Sequence, residues 1–238
     1  MKKTFIRFER KFLLSELQKN LIIDKIKNYM VLDQYNVDSK PYIVSNIYFD
    51  NNNYEIIRHS LSKPSYKDKI RIRYYENYIK EEDLVFFEIK KKYNRKVTKR
   101  RISLPLSKIK SHINDADMLE MENYVDKQIL NEINYTIKNF NLKPYMFIKY
   151  DRLAYFDENS DLRITFDSDI KYSEMQGGLN FNNELFSLLQ PKTYLMEIKT
   201  EYNFPLWLAN FLSELNIFNQ SFSKYGKVYE KHVIGILD

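Results

Sequence analysis

Four short segments of the sequence place charged side chains two residues apart. Glutamate and lysine alternate in this way in FERKF, FFEIKK and LMEIKT, and three cations do so in DKIRIRYYE. Side chains at i and i+2 of a strand point to the same face. In all but the first segment, the positions between the charged residues are apolar. One face of the sheet is therefore apolar, and the other carries acids and bases together. The charged residues are Glu9, Lys11, Lys69, Arg71, Arg73, Glu88, Lys90, Glu197 and Lys199.

If these faces converge, their cations repel one another unless an anion lies between them. Lys99, Arg101 and Arg163 fit the same inward parity, and Arg152 in KYDRLAYF is a further candidate. Burying one unpaired charge costs several kcal/mol. Guanidinium forks and ammonium groups match phosphate oxygens, so the expected ligand is a polyphosphate-like chain.

The three glutamates of these segments are candidate ligands of Mg²⁺ or Mn²⁺. Such hard cations bind carboxylate oxygens together with the phosphates of a substrate. We therefore predict a metal site that involves Glu9, Glu88 and Glu197.

Two plainer interpretations of the charges stay open. Glutamate and lysine on an exposed strand form surface ion pairs, which contribute only ~0–1 kcal/mol. Residues 90–101 are rich enough in Lys and Arg to be typical of a nucleic-acid patch. Alternate residues of a hairpin point to opposite faces, however, so only Lys90, Lys99 and Arg101 need to face a ligand.

At 238 residues the chain is long enough for one large domain or two small ones, and we interpret residues 1–238 as a single well-folded domain. Apolar residues make up 44% of the chain, the formal net charge is +6, and cysteine is absent, which excludes disulfides, thiolate metal sites and a cysteine nucleophile. No segment approaches the ~20 apolar residues of a spanning helix or reads as a targeting signal. We expect a soluble, cytoplasmic protein.

The hydrophobic periodicity predicts seven or eight strands with helices between them. Most connections between strands are short, which indicates antiparallel pairing. We therefore expect an α+β fold in which seven or eight antiparallel strands can curl into a β-barrel with a ligand-binding tunnel inside and helices packed outside. The predicted strands lie near 4–13, 42–50, 67–79, 84–92, 97–104, 144–157, 161–170 and 193–200, and the predicted helices near 15–30, 53–61, 115–141, 180–190 and 205–216. Residues 105–110 are predicted to be a loop.

An ordered set of motifs resembles the VTC-type polyphosphate polymerase domain, a branch of the triphosphate tunnel metalloenzymes in the CYTH-like superfamily. The motifs are FERK, SNIYFDN, KIRIRYYE, FFEIKKKY with KVTKRRISL, KYDRLAYF, LRITFDSDI, MEIKT and FSKY, and they span about residues 5–230. The resemblance implies an antiparallel eight-stranded β-barrel tunnel that transfers the γ-phosphate of ATP to a growing polyphosphate chain with Mn²⁺ or Mg²⁺.

The resemblance also implies roles for individual residues. Glu197 is the expected metal-binding carboxylate. The chain departs from the family's K-F-S-K-Y segment at its first lysine, which is Ser221 here, and this difference bears on the affinity for polyphosphate. We assign catalytic positioning to Lys199, Arg71 and Arg73. The expected phosphate ligands are Lys11, Lys69, Lys90, Lys99, Arg101, Arg152, Arg163, Ser223 and Lys224.

Two other functions remain open from the sequence. A tripolyphosphatase or nucleoside triphosphatase of the same fold would use water as the acceptor of the phosphoryl group. A non-catalytic module would only bind polyphosphate or nucleic acid. The glutamates separate these classes, because a pure binder has no need of carboxylates among its cations. We expect ATP and polyphosphate as partners and no nucleic acid; a membrane-protein partner and the oligomeric state are not visible in the sequence.

Overall fold

One antiparallel sheet with six α-helices forms the body of the computed structural model. The structure describes residues 8–94, 96–114, 119–175, 178–179, 184–201 and 203–235. Strands are β1 Phe8–Ser15, β2 Val31–Leu32, β3 Tyr42–Asp50, β4 Tyr66–Tyr74, β5 Leu84–Tyr93, β6 Lys96–Pro105, β7 Lys143–Phe156, β8 Arg163–Glu174, β9 Phe186–Ser187 and β10 Thr193–Thr200. Helices are α1 Glu16–Ile26, α2 Glu55–Leu61, α3 Leu106–Ile113, α4 Tyr124–Phe140, α5 Leu206–Glu214 and α6 Lys224–Val228.

The strand order is β1-β10-β8-β7-β3-β4-β5-β6, with β2 on β7 and β9 on β8. The α+β class and the antiparallel pairing are confirmed. The predicted closure into a barrel is not confirmed. Among the described residues, β1 and β6 are the two edge strands and do not pair with each other, so the sheet is open. It is nevertheless strongly curled, because Glu9 on β1 lies 3.8 Å from Lys90 on β5, in the other half of the sheet.

The apolar residues that alternate with the charged ones along the strands lie on the convex side of the sheet. Ile70 and Ile72 of β4 are buried with Phe87 of β5 beneath α3 and α4. Met196 and Ile198 of β10 are buried beneath α1 and α5. Burial of such side chains contributes about 1.5–3 kcal/mol each, which fixes the parity of every strand and turns the charged residues to the concave side.

One helix departs from the expectation that all helices pack outside. Tyr225 and Val228 of α6, with Phe222 before them, pack against Val44 and Ile148 on the concave face. The helix α6 therefore covers one end of that face. Much of the rest of the concave face carries charged and other polar side chains.

Two local predictions were wrong. Residues 105–110 were predicted as a loop, but Pro105 ends β6 and α3 begins at Leu106. Proline is tolerated at a helix start, and Leu106 and Ile109 become buried. The predicted helix at 180–190 contains strand β9 in its described part. Residues 4–7, 115–118, 176–177 and 180–183, on which several predicted boundaries fell, lie outside the described residues. No helix of the described chain is long and apolar enough to cross a membrane.

Candidate functional site

A cavity of about 160 Å³ lies on the concave face, between the two halves of the curled sheet and the start of α6. Eight cationic side chains and three carboxylates line it. Tyr48 and Tyr150 also line it and were not predicted. The predicted residues that the structure brings together here are Glu9, Lys11, Lys69, Arg71, Arg73, Glu88, Lys90, Arg152, Glu197, Lys199, Ser223 and Lys224.

Glu197 is the central acid of the wall formed by β10, β1 and α6. It accepts hydrogen bonds from Lys199 at 2.9 Å and from Lys224 at 3.1 Å, and Lys11 lies 3.8 Å away. Burial alone would raise the pKa of Glu197, but these lysines and Arg152 outweigh burial and hold it well below its usual range. Glu197 is therefore ionised at any physiological pH.

Asp167 on β8 is a site residue that the sequence reasoning missed. It is fully buried and accepts two hydrogen bonds from Arg152, at 2.7 and 2.8 Å, and one from Lys224 at 2.5 Å. Despite its burial, these two cations lower the pKa of Asp167. Its position in the sequence could have identified it, because Asp167 lies four residues after Arg163 in LRITFDSDI and so points to the same face of the strand. Asp167 fixes the positions of Arg152 and Lys224 beneath the cavity.

Glu88 on β5 holds the opposite wall together. Arg71 donates to it at 2.8 Å, Lys99 lies 2.6 Å away, and Arg101 is at 4.0 Å. Burial would raise the pKa of Glu88, but Arg71 and Lys99 lower it to about 2. Lys99 and Arg101 thus contact Glu88 at the rim and do not line the cavity themselves.

Arg73 and Lys69 differ from the other cavity cations, because neither has a carboxylate within ion-pair distance among the described residues. Arg73 donates to Asn46 Oδ1 at 2.8 Å and to the Tyr150 hydroxyl at 3.2 Å. Lys69 Nζ contacts Ser223 Oγ at 3.5 Å. Neither side chain is therefore held in an ion pair with a described carboxylate of the protein.

The electrostatic state of Lys69 follows from this lack of a partner. Burial and the neighbouring cations Lys67, Lys90 and Lys11 lower the pKa of Lys69 to about 7. A partly neutral amine among lysines is poised to regain its proton when an anion enters.

Arg163 takes a different position from the one expected of a phosphate ligand. It lies opposite Lys199 in the register of β8 and β10, but it does not line the cavity. Its guanidinium donates to Asp33 at 2.7 Å, at one mouth of the cavity.

The three predicted metal ligands all line the cavity but are dispersed between cations. Glu9 pairs with Lys11 at 3.0 Å, on the same wall as Glu197 and across from Glu88. Within the described residues, no three His, Cys, Asp or Glu side chains gather as a metal cage. One buried oxygen, Glu88 Oε1, accepts no well-aligned hydrogen bond although Lys99 is close.

An antiparallel sheet curled around a cation-lined cavity is the arrangement of the triphosphate-tunnel folds. The chain belongs to the VTC domain family, whose model matches residues 6–233. No curated protein sequence matches it.

Solved structures with a similar fold include a candidate adenylate cyclase from Bacillus halodurans, with 14% identity, a TM-score of 0.55, and coverage of 93% of this chain and 96% of that one. A candidate adenylate cyclase from Vibrio parahaemolyticus has 10% identity and a TM-score of 0.46, covering 95% and 99%. The PH1819 protein of Pyrococcus horikoshii has 16% identity and a TM-score of 0.45, with the same coverage. At these identities, the Bacillus structure shows the fold alone.

Proposed function

We propose that the protein is a polyphosphate polymerase that transfers the γ-phosphoryl group of ATP to the end of a polyphosphate chain in the cavity. The observation that carries this proposal is the charge excess: eight basic side chains and three carboxylates line the cavity, and among the described residues Lys69 and Arg73 have no carboxylate within ion-pair distance. A chain of phosphates supplies the missing negative charge at regular spacing. In this proposal β1 and β6 complete the eight-stranded tunnel around the chain, and the reaction is cytoplasmic because ATP is the donor.

Phosphoryl transfer asks the protein mainly for positioning and charge neutralisation. Arg71, Arg73 and Lys199 would hold the transferred group in line, and their own partners fix their orientation. Asn46 and Tyr150 occupy only part of the Arg73 fork, so its remaining N–H groups are available to phosphate oxygens.

Transfer to phosphate is favoured over hydrolysis by the state of the carboxylates. The pKa of Glu88 is about 2, and the pKa values of Glu9 and Glu197 are also lowered, because burial is outweighed by adjacent lysines and arginines. Such carboxylates are weak bases. An attacking water needs a base, whereas a phosphate oxygen at the end of a chain is already ionised and needs none.

The donor set fits a metal that shares its coordination with substrate. Mg²⁺ takes one or two protein carboxylates and completes its shell with phosphates and waters, so a protein-only cage is not required. Glu197, Glu88 with its unsatisfied oxygen, and Glu9 are the residues that would hold Mn²⁺ or Mg²⁺. When bound, the metal would neutralise phosphate oxygens of the donor.

The test is to incubate purified protein with ATP and Mn²⁺ or Mg²⁺, then to analyse long chains on gels and free phosphate by colorimetry. Long chains support the proposal; release of phosphate alone identifies a hydrolase; tripolyphosphate binding without either product identifies a binding module. We expect Glu197→Gln to abolish turnover at every metal concentration while the protein stays folded. Normal turnover in this variant would remove Glu197 from the site.

A further inference from the structure

Four aromatic side chains form a continuous row across one mouth of the cavity. This aromatic row consists of Tyr35, Tyr42, Tyr75 and Phe86. Successive rings meet edge to face, with centroids 6.3, 6.1 and 6.0 Å apart. The Arg101 guanidinium lies over the last ring, with its central carbon 4.1 Å from the centroid of Phe86.

The aromatic row continues the lining of the cavity. Phe86 lies directly opposite Arg73 in the register of β5 and β4, and Tyr42 lies opposite Arg152 in that of β3 and β7. Tyr75 follows Arg73 by two residues, about 7 Å along an extended chain. The rings therefore lie next to the last cations that line this end of the cavity.

The row is not explained by core packing. Tyr35 is 66% exposed and Tyr75 is 42% exposed. These two rings and Phe86 belong to none of the three apolar clusters of the described chain. Aromatic faces held open to solvent beside a cationic cavity are a binding surface for a flat ring.

The loop that carries Tyr35 is held in place by buried polar contacts. The side chain of the next residue, Asn36, donates to the Arg152 carbonyl at 2.9 Å and accepts from the Ala154 amide at 3.0 Å. Asp33 accepts from the Tyr35 amide at 3.2 Å and from Arg163 at 2.7 Å. The exposed ring of Tyr35 is thus presented in a fixed position, and Arg163 is part of its support.

We propose that the aromatic row binds the base of the nucleoside triphosphate whose phosphates occupy the cavity, with purines preferred over pyrimidines. This inference rests on the proposed function, because it takes the donor to be a nucleotide. Each edge-to-face contact covers one face of one ring, but Tyr35 and Tyr75 remain 66% and 42% exposed, so they still offer aromatic surface. A base stacks on such surface whatever its hydrogen-bonding edge. A purine, with its larger ring system, covers more of the row. The base at this mouth directs the γ-phosphate inward, toward Lys69.

The experiment compares three ligands by isothermal titration calorimetry: ATP, ribose 5-triphosphate, which lacks the base, and inorganic tripolyphosphate. CTP is titrated as a fourth ligand to test the preference for purines. In the wild type we expect ATP to bind at least about fivefold more tightly than ribose 5-triphosphate, and CTP to fall between them. Tyr75→Leu and Tyr35→Leu should each reduce this preference. Tripolyphosphate should bind both variants within about twofold of the wild type. The matched control is Tyr78→Leu, an 88% exposed tyrosine outside the row, which should keep the full preference for ATP.

The outcomes separate this inference from the proposed function. Equal binding of ATP and ribose 5-triphosphate by the wild type, with tripolyphosphate still bound, overturns the base site and leaves the phosphate site intact. Variants that weaken tripolyphosphate as much as ATP also overturn it. If the wild type binds none of the three ligands, the proposed function itself fails. The wild-type comparison needs no variant, so a folding defect in Tyr75→Leu cannot hide the result.

Discussion

Binding of a polyphosphate should draw protons onto the protein, chiefly onto Lys69. Burial and nearby lysines lower the pKa of Lys69 to about 7, so at pH 8 about nine tenths of its amines are neutral in the free protein. A phosphate chain beside the amine favours the charged form and returns the pKa toward its ordinary value. Each binding event should therefore take up about 0.9 proton at Lys69.

Lys99 is a second site of proton uptake. Burial and neighbouring arginines lower its pKa also to about 7, against the attraction of Glu88. If the ligand restores both amines, uptake at pH 8 reaches about 1.8 protons. Lys69→Met should lower the measured uptake by about 0.9. Lys127→Met, which alters an exposed lysine on α4, should leave uptake unchanged.

The assay is calorimetric titration of tripolyphosphate in two buffers of different ionisation enthalpy, at pH 8 and pH 6. The difference in binding enthalpy gives the protons exchanged, and comparison of variants cancels protons exchanged by the ligand. Near pH 6 uptake at Lys69 should fall to about 0.1, and above pH 7 the Kd should rise up to about tenfold per pH unit. Equal uptake by the wild type and Lys69→Met at pH 8 would refute the reasoning, because Lys69 would then be charged in the free protein.

Three further predictions concern the charges around Lys69. Asp167→Asn should lower the free energy of unfolding, measured in urea, by about 3–5 kcal/mol, because it removes the carboxylate that pairs with two buried cations. The control Asp169→Asn, at an exposed ion pair on the same strand, should lower it by at most about 1 kcal/mol. The pKa of Glu88 is about 2 in the folded protein against an ordinary value of 4.5, so the stability that Glu88 contributes is present above pH 4.5 and is lost as the pH falls toward 2. Glu88→Gln should flatten this part of the curve of unfolding free energy against pH. An unchanged curve would contradict the assignment. Arg73→Ala should weaken tripolyphosphate binding with little loss of melting temperature, because no carboxylate of the described chain lies within ion-pair distance of Arg73. A large loss would show that Arg73 is structural.

The sequence was sufficient to predict which strand face carries the charges. Alternation is local, and burial of residues such as Ile70 and Ile72 leaves no freedom in the parity of β4. The register then sets acids opposite bases, with Lys11 against Glu197 and Arg71 against Glu88. These cross-strand pairs make a cavity of the predicted residues.

Contacts that depend on the path of the chain could not be predicted in this way. Arg152 meets Asp167 only because the pairing of β7 and β8 shifts near Asp169, which adopts a φ of 46°. Such a bulge leaves no periodic signal. The placement of α6 likewise depends on long-range packing of Tyr225 against β3 and β7, which no local pattern of its own sequence specifies.

The distribution of acids indicates which cations a ligand engages most strongly. Arg152 and Lys224 are held by Asp167 and Glu197, so an incoming phosphate must compete with carboxylates already in place. Lys69 faces no such competitor, and a phosphate next to it also relieves repulsion from neighbouring lysines. Since removal of a paired cation leaves a carboxylate to repel the ligand, while removal of Lys69 only deletes an attraction, loss of binding alone cannot rank these residues. Proton uptake can, because it reports the change in charge at Lys69 directly.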